Sequence, residues 1–466
     1  MIIDGKSFNI DIELLKQYNK PGPRYTSYPT APKFATDFDH KAYRAEIERT
    51  NAGENLPDLS LYFHLPFCDT LCYFCGCNML ITRNRARIDE YLDYLTKEIQ
   101  LTSKMIKPGR KVSQLHWGGG TPTYLDPEQT HRIFNAIRDH FDFYDDAEIS
   151  VEIDPRGMTE GHLDALQDSG FNRASMGVQD FQKNVQEAVN RLQSEELTRW
   201  AFDGLQKRNF ESINLDLIYG LPYQTVYSFA DTLERIIDIS PNRLAVFNYA
   251  HVPWMKKHQR VIKEETLPAA EDKLRILKMT IEKLSDAGYV YIGMDHFGKK
   301  DDSLTKAYME KKLYRNFQGY STKAGCDLYA MGMSSISQLN NVYAQSVKDI
   351  SAYYAALEQG NLPTERGYRL NEDDQIRRHV ITRFMCDFEL KKSEIEAEFG
   401  LDFDAYFEEA LARLEPMIFD GLIEHSNGLI KATEMGHLLI RNAAMAFDAH
   451  LSDMEAEKKP MFSKTV

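Results

Sequence analysis

With 466 residues, 43% of them apolar and 27% charged, the chain has the make-up of a folded globular protein, excluding disorder or a fibre, and it exceeds one average domain. A net charge of −14 excludes the broad basic footprint that nucleic acid or an anionic membrane requires, although local basic pockets remain possible. The opening MIIDGKSFNI has no basic region followed by an apolar run of roughly 7–15 residues, and no stretch approaches the ~18 apolar residues of a membrane span, so a cytoplasmic protein is expected.

The segment before residue 55 includes Pro21-Gly-Pro-Arg-Tyr-Thr-Ser-Tyr-Pro29, whose prolines oppose a regular helix. Residues 1–55 are therefore expected to form an extended arm wrapping the main domain. From there to about residue 250, β-rich runs alternate with amphipathic ones, the pattern of βαβ units. The predicted strands are Leu61–Phe67, Val112–Trp117, Glu148–Asp154, Asn172–Gln179, Ile213–Tyr219 and Arg243–Ala250. Among the helical runs, Ile88–Leu101 places Ile88, Tyr91, Leu92, Leu95, Ile99 and Leu101 mostly at three- and four-residue spacing. Periodicity alone leaves open whether these β/α units close into a partial barrel or lie as an open sheet.

From about Asn371 the character becomes helix-rich, with helices predicted over Asp373–Met385, Lys392–Phe399 and Ala405–Phe419. Two short runs, LIEHS and LIKAT, flank Asn427-Gly428 and give a winged-helix-like pattern. Such modules often read DNA, but the acidic stretch EIEAEFGLDFDAYFEE offers no basic recognition face, so a lid or packing role is expected instead. The expected division is an arm over 1–55, a catalytic domain over 56–365 and a helix-rich C-terminal domain over 366–466.

Four of the six cysteines, Cys68, Cys72, Cys75 and Cys77, fall together after the first strand, while Cys326 and Cys386 are scattered. That is no disulfide framework. A structural zinc knot normally wants two separated ligand pairs, and no second pair stands near this loop. Three thiolates at C-x3-C-x2-C spacing instead suit a [4Fe–4S] cluster whose fourth iron stays open to a small molecule; structural zinc and electron transfer alone are the remaining alternatives.

Polar or small residues recur where the predicted strands end. Gly118-Gly119-Gly120-Thr121-Pro122 follows the second and permits close backbone approach to a ligand, if it is more than a tight turn. Glu152, Gln179, Asp216 and Ala250 stand near the ends of the next four, the rim where β/α folds build active sites. Tyr62 lies in the first strand, where an aromatic serves equally as core or as the face beneath a cation.

The cysteine loop resembles the signature of the radical S-adenosylmethionine family. That resemblance implies that Cys68, Cys72 and Cys75 ligate the cluster and that the cofactor's amino and carboxylate groups chelate the open iron. An electron then cleaves the sulfonium C–S bond to give a 5′-deoxyadenosyl radical. It also implies that Gly119, Gly120 and Thr121 meet the methionine ammonium and that Glu152 holds a ribose or ammonium. Gln179, Arg191 and Asp216 would bind a second S-adenosylmethionine, and Tyr62 would stack on the sulfonium. Phe74, Gly76, Ala250 and the run Met331-Gly-Met-Ser-Ser-Ile336 would line the adenosine or methionine moieties.

The match extends along the chain in PRYTSYPTA, YFHLPFCDTLCYFCGCN, LHWGGGTPTYL, SMGVQDF, NLDLIYGLP, FNYAHVP, GMDHF and RNFQGY. Together these resemble the oxygen-independent coproporphyrinogen III oxidase family. The resemblance implies a partial (β/α)6 TIM-like barrel with a helical C-terminal domain, in a monomer. It implies conversion of coproporphyrinogen III to protoporphyrinogen IX, with a reductant for the cluster and an external electron acceptor. Binding a tetra-anionic substrate to so acidic a chain demands clustered cations, of which Arg24 is a candidate. Cys77 would stand outside the ligand set yet near the chemistry. A haem-binding chaperone of the same superfamily is the competing reading; Gly76-Cys77, the PRYTSYPTA arm and the long C-terminal domain favour the oxidase.

Overall fold

The structure, a computed structural model, describes residues 2–3, 6–7, 10–426, 428–451 and 462–465; Asn427, in the predicted turn near the C-terminus, lies outside the described residues. Backbone contacts group the chain into two compact units. One comprises Lys33–Asp216 and Gly325–Arg369, the other Met1–Pro32, Leu217–Ala324 and Leu370–Val466.

The predicted strands are present as β1 (Leu59–Leu65), β2 (Lys111–Gly119), β3 (Asp142–Ile153), β4 (Arg173–Gln179), β5 (Ser212–Tyr219) and β6 (Arg243–Asn248). In the first unit, β1 to β4 pair in parallel in chain order. The helix predicted at Ile88–Leu101 spans Arg85–Ser103, capped by Asn84 and burying Ile88, Tyr91, Leu92, Leu95 and Ile99. A capping box, Asp126 with Gln129, starts the helix Pro127–Arg138.

Alternation sorts the strands' two faces. In β3, Ile149, Val151 and Ile153 are buried while Ser150 and Glu152 are half-buried, and β4 repeats this with Ala174, Met176 and Val178 against Ser175, Gly177 and Gln179. Register then aligns the polar sides: Tyr62 lies opposite His116, His116 opposite Ser150, and Glu152 opposite Ser175.

In the second unit, β6 pairs antiparallel with a strand at His296–Gly298, which in turn pairs with Val290–Gly293. Returning to the first unit, β1 takes Asp327–Met331 as its other, parallel neighbour. Ile336–Leu339, Val342–Ser346 and Thr364–Arg369 follow antiparallel from it.

The C-terminal part of the second unit contains Glu372–Asp387, Lys392–Phe399 and Glu408–Phe419 as helices, with a three-stranded sheet of Glu389–Lys391, Leu429–Ala432 and Ile423–Ser426. This is the winged-helix-like arrangement read from the sequence. The predicted helix Ala405–Phe419 is divided: a turn at Phe403–Tyr406 precedes Glu408–Phe419, and Phe407 between them leaves helical geometry at φ −108° and ψ 24°. Among the described residues no helix is long and apolar enough to cross a membrane.

Candidate active site

All of the geometry that follows lies within the first unit. Phe67–Cys68 pairs with Leu80–Ile81, and Leu80 N–H donates to the Pro66 carbonyl at 2.7 Å, so the loop between them is pinned at both ends. The Cys68 thiol lies 3.3 Å from Thr121 Oγ1. Cys72, 8% exposed, accepts from Arg156 Nη2 at 3.4 Å and Arg191 Nη1 at 3.8 Å. Cys75 Sγ accepts from the Cys77 N–H at 3.4 Å. Burial, opposed by the Thr121 hydrogen bond, pushes the Cys68 thiol up to about 12. No cysteine is in a disulfide, and among the described residues no three His, Cys, Asp or Glu side chains converge tightly enough to enclose a single metal ion.

The glycine turn lies against this loop. A Cβ on Gly120 would stand 2.5 Å from the Pro66 carbonyl carbon and oxygen, and Gly119 has φ +117°. The Gly119 N–H donates to Glu152 Oε2 at 3.1 Å, and His116 Nε2 stands 3.4 Å from Glu152 Oε1. Burial raises the Glu152 carboxyl, but His116 and the Gly119 N–H outweigh it and hold the group below the usual carboxylate range.

Asp154 is the acidic anchor, contacted by Arg156 Nη2 at 2.7 Å and Arg191 Nη1 at 2.8 Å; these guanidinium groups overcome burial and lower its pKa. Asp216 accepts from Asn214 Nδ2 at 2.6 Å and Ser175 Oγ at 3.1 Å. Burial, and then the charge of Glu152, raise it to about 7. Gln179 closes β4 with φ +71°, and its buried Oε1 has no partner, leaving an acceptor for a ligand's donor.

These groups surround a cavity of about 550 Å³, a size suited to a small-molecule ligand. Of the residues singled out in the sequence, Cys68, Cys72, Cys75, Cys77, Phe74, Gly120, Thr121, Glu152, Gln179, Arg191 and Asp216 line it. Tyr62, Gly76, Gly119 and Ile336 do not. Tyr62 stacks on His116 with ring centroids 5.9 Å apart, and Ile336 sits in a strand opposite Gln345. Ala250 follows β6 in the other unit. Sequence reasoning missed Asp154, Arg156, His64, His116, Ser175 and Asn214; for the last four, which lie inside strands, the signal was the two-residue alternation that puts them beside residues already chosen.

Residues 62–236 match the family model of the Radical SAM superfamily, and residues 370–439 that of the HemN C-terminal domain. The oxygen-independent coproporphyrinogen III oxidase of Synechocystis sp. is 44% identical over 458 residues, 97% of each chain. Its Escherichia coli counterpart is 46% identical over 456 residues, 98% of each. The solved structure reported as "Coproporphyrinogen III oxidase (HemN) from Escherichia coli is a Radical SAM enzyme" superposes with a TM-score of 0.91 at 47% identity, covering 96% of this chain and 100% of that one.

Fold and site define a class, the radical S-adenosylmethionine proteins, whose cofactors are a [4Fe–4S] cluster and S-adenosylmethionine. The chain belongs to the oxygen-independent coproporphyrinogen III oxidase family within that class. The likeness at this identity also resolves what periodicity left open, in favour of the partial-barrel fold.

Proposed function

We propose that the protein converts coproporphyrinogen III to protoporphyrinogen IX without oxygen, in the cytoplasm and as a monomer, as a step of haem biosynthesis. The observation that carries this reading is a cysteine loop of cluster spacing on the wall of a small-molecule cavity, in a chain matching such oxidases over 98% of its length. Each of two propionates becomes a vinyl group: a hydrogen atom leaves the carbon next to the ring, then CO2 and one electron depart. An external acceptor takes that electron, and a reductant supplies the cluster. In this reading residues 56–365 form the catalytic domain, 1–55 an arm and 366–466 the C-terminal domain.

The donor set fits the cofactors. Cys68, Cys72 and Cys75 would hold the cluster, and the Arg156 and Arg191 guanidinium groups donate to the Cys72 sulfur. When bound, the cluster and S-adenosylmethionine supply the hydrogen-abstracting group through reductive cleavage of the sulfonium. Glu152, held ionised, would accept a cofactor ammonium or ribose hydroxyl, and the turn at Gly119, Gly120 and Thr121 would admit the methionine end. Gln179, Arg191 and Asp216 would take the second S-adenosylmethionine, and the unpartnered Gln179 carbonyl supports that assignment. Phe74 would flank the adenosine, with Tyr62, Gly76 and Ile336 completing the binding region. Cys77, outside the ligand set, would face the reacting groups from the cavity wall.

Anaerobic reconstitution with iron, sulfide, reductant and coproporphyrinogen III tests the reading. Mass spectrometry should show loss of two CO2 per porphyrinogen together with 5′-deoxyadenosine. Stoichiometric haem retention without decarboxylation would replace it with the haem-chaperone function.

A further inference from the structure

A separate concentration of buried charge lies wholly within the second unit. Arg24, Arg315 and Arg441 come from distant stretches of chain, yet each acts electrostatically on the others. Arg24 forms an ion pair with Asp295, and Arg315 Nε donates to the Arg24 carbonyl at 3.1 Å. Arg441 spends its donors on the carbonyl oxygens of Gly22, Pro23, Lys464 and Thr465, and among the described residues it meets no carboxylate. Arg315 is 5% exposed, and its Nη1 is buried with no hydrogen-bond partner. The neighbouring Arg243 is already committed to Asp302 at 2.6 Å.

Three guanidinium groups against one carboxylate leave a surplus of two positive charges. Burial, then the neighbouring arginines, lower Arg24 to about 9 and Arg441 to about 10. The same causes press His296 down to about 3, so its ring adds no charge at neutral pH. Buried like charges are costly unless an anion joins them, and a guanidinium fork matches a carboxylate in shape as well as in charge. Side-chain accessibility of 33% makes Arg24 the exposed edge of the cluster, with Arg315 and Arg441 buried behind it at 5% each. Aromatic faces hold the forks in place, Phe247 beneath Arg24 at 5.8 Å and Tyr320 beneath Arg315 at 4.7 Å.

We propose that Arg24, Arg315 and Arg441 form a binding site for two carboxylates of a tetracarboxylate porphyrinogen; the identity of that ligand rests on the function proposed above. The unmatched Nη1 of Arg315 is the vacant donor for one carboxylate. Arg24, now held by Asp295, receives the other. A chain whose net charge is −14 thereby attracts an anionic substrate at one place.

The test measures binding to the holoprotein without turnover, using coproporphyrin III and its tetramethyl ester, which keeps the macrocycle and removes all four charges. The wild type is expected to bind the acid at least tenfold more tightly than the ester. Arg315→Gln should abolish that preference while retaining cluster iron and S-adenosylmethionine cleavage, and Arg315→Lys should restore part of it. Should Arg315→Gln fail to fold, Arg24→Gln, at the accessible edge of the cluster, is expected to reduce the preference in the same way. Wild-type preference in Arg315→Gln, or in Arg24→Gln if that variant stands in for it, overturns the proposal. Failure of the wild type to decarboxylate coproporphyrinogen III while still preferring the acid removes the functional reading and leaves the carboxylate site standing.

Discussion

The cavity at the strand ends and the arginine cluster handle buried charge in opposite ways. Around the cavity, acids are answered by protein groups: Asp154 by Arg156 and Arg191, Glu152 by His116 and the Gly119 N–H, while Asp216 approaches neutrality near pH 7. The arginine cluster has one acid, Asp295, for three cations. A site whose charges are balanced suits a ligand carrying both signs, as S-adenosylmethionine does with its ammonium, sulfonium and carboxylate. A site with surplus positive charge calls for an anion. Local balance therefore states the sign of each ligand where the overall −14 states neither.

The contrast breaks most severely at the cysteine loop. Cys68→Ala, Cys72→Ala and Cys75→Ala are each expected to lose cluster iron and all cofactor cleavage, whereas Cys77→Ala keeps its iron. Iron and sulfide content with deoxyadenosine yield checks this, and iron loss in Cys77→Ala would revise the ligand set. The next largest effect removes the shared acid of the cavity. Asp154→Asn leaves Arg156 and Arg191 partly or wholly buried without a carboxylate, at a cost of about 3–5 kcal/mol in urea unfolding. Adding Arg191→Gln should recover part of that loss, and strict additivity of the two substitutions would show that the pair is not coupled.

How much of this was legible in the sequence follows from the range of the interactions. The cysteine loop and the glycine turn were readable because their chemistry depends on neighbours a few residues apart. Glu152, Gln179 and Asp216 were readable from strand position. Asp154 was missed because its value lies in a contact with Arg191, far along the chain, and Arg156 because it matters only through that same Asp154; no local pattern marks either. The first half of β3 was missed as well: Phe143, Tyr144, Asp145 and Asp146 are half-buried or exposed, so they carry no apolar alternation. Of the arginine cluster, Arg24 alone was suspected, since its partners stand 291 and 417 positions further along the chain.

Gly120→Ala sharpens the packing side of the contrast. Its Cβ would strike the Pro66 backbone at 2.5 Å, and backbone cannot swing aside as a flexible side chain does. Unfolding stability should fall by about 1–3 kcal/mol, with reduced iron retention because Pro66 leads directly into the cysteine loop. An unchanged denaturation midpoint would mean the loop shifts freely.

The smallest effect concerns an acid of the first unit that has no cationic partner among the described residues. Glu98, 3% exposed, accepts from the Tyr353 hydroxyl at 2.5 Å and the Gly332 N–H at 2.8 Å. Burial outweighs both hydrogen bonds and raises its carboxyl to about 7. Because the folded value lies above the unfolded value of about 4.3, folding favours the protonated form. The stability this confers is complete below about pH 4, declines as pH rises toward 7 and is gone above it. Glu98→Gln, which cannot ionise, should escape the decline and gain on the order of 1 kcal/mol on the wild type per pH unit between pH 5 and 7, read from urea midpoints at each pH. A gap between the two proteins that stays constant across that range would mean Glu98 is ionised throughout, and buried acids of this unit would then tolerate charge without a cationic partner.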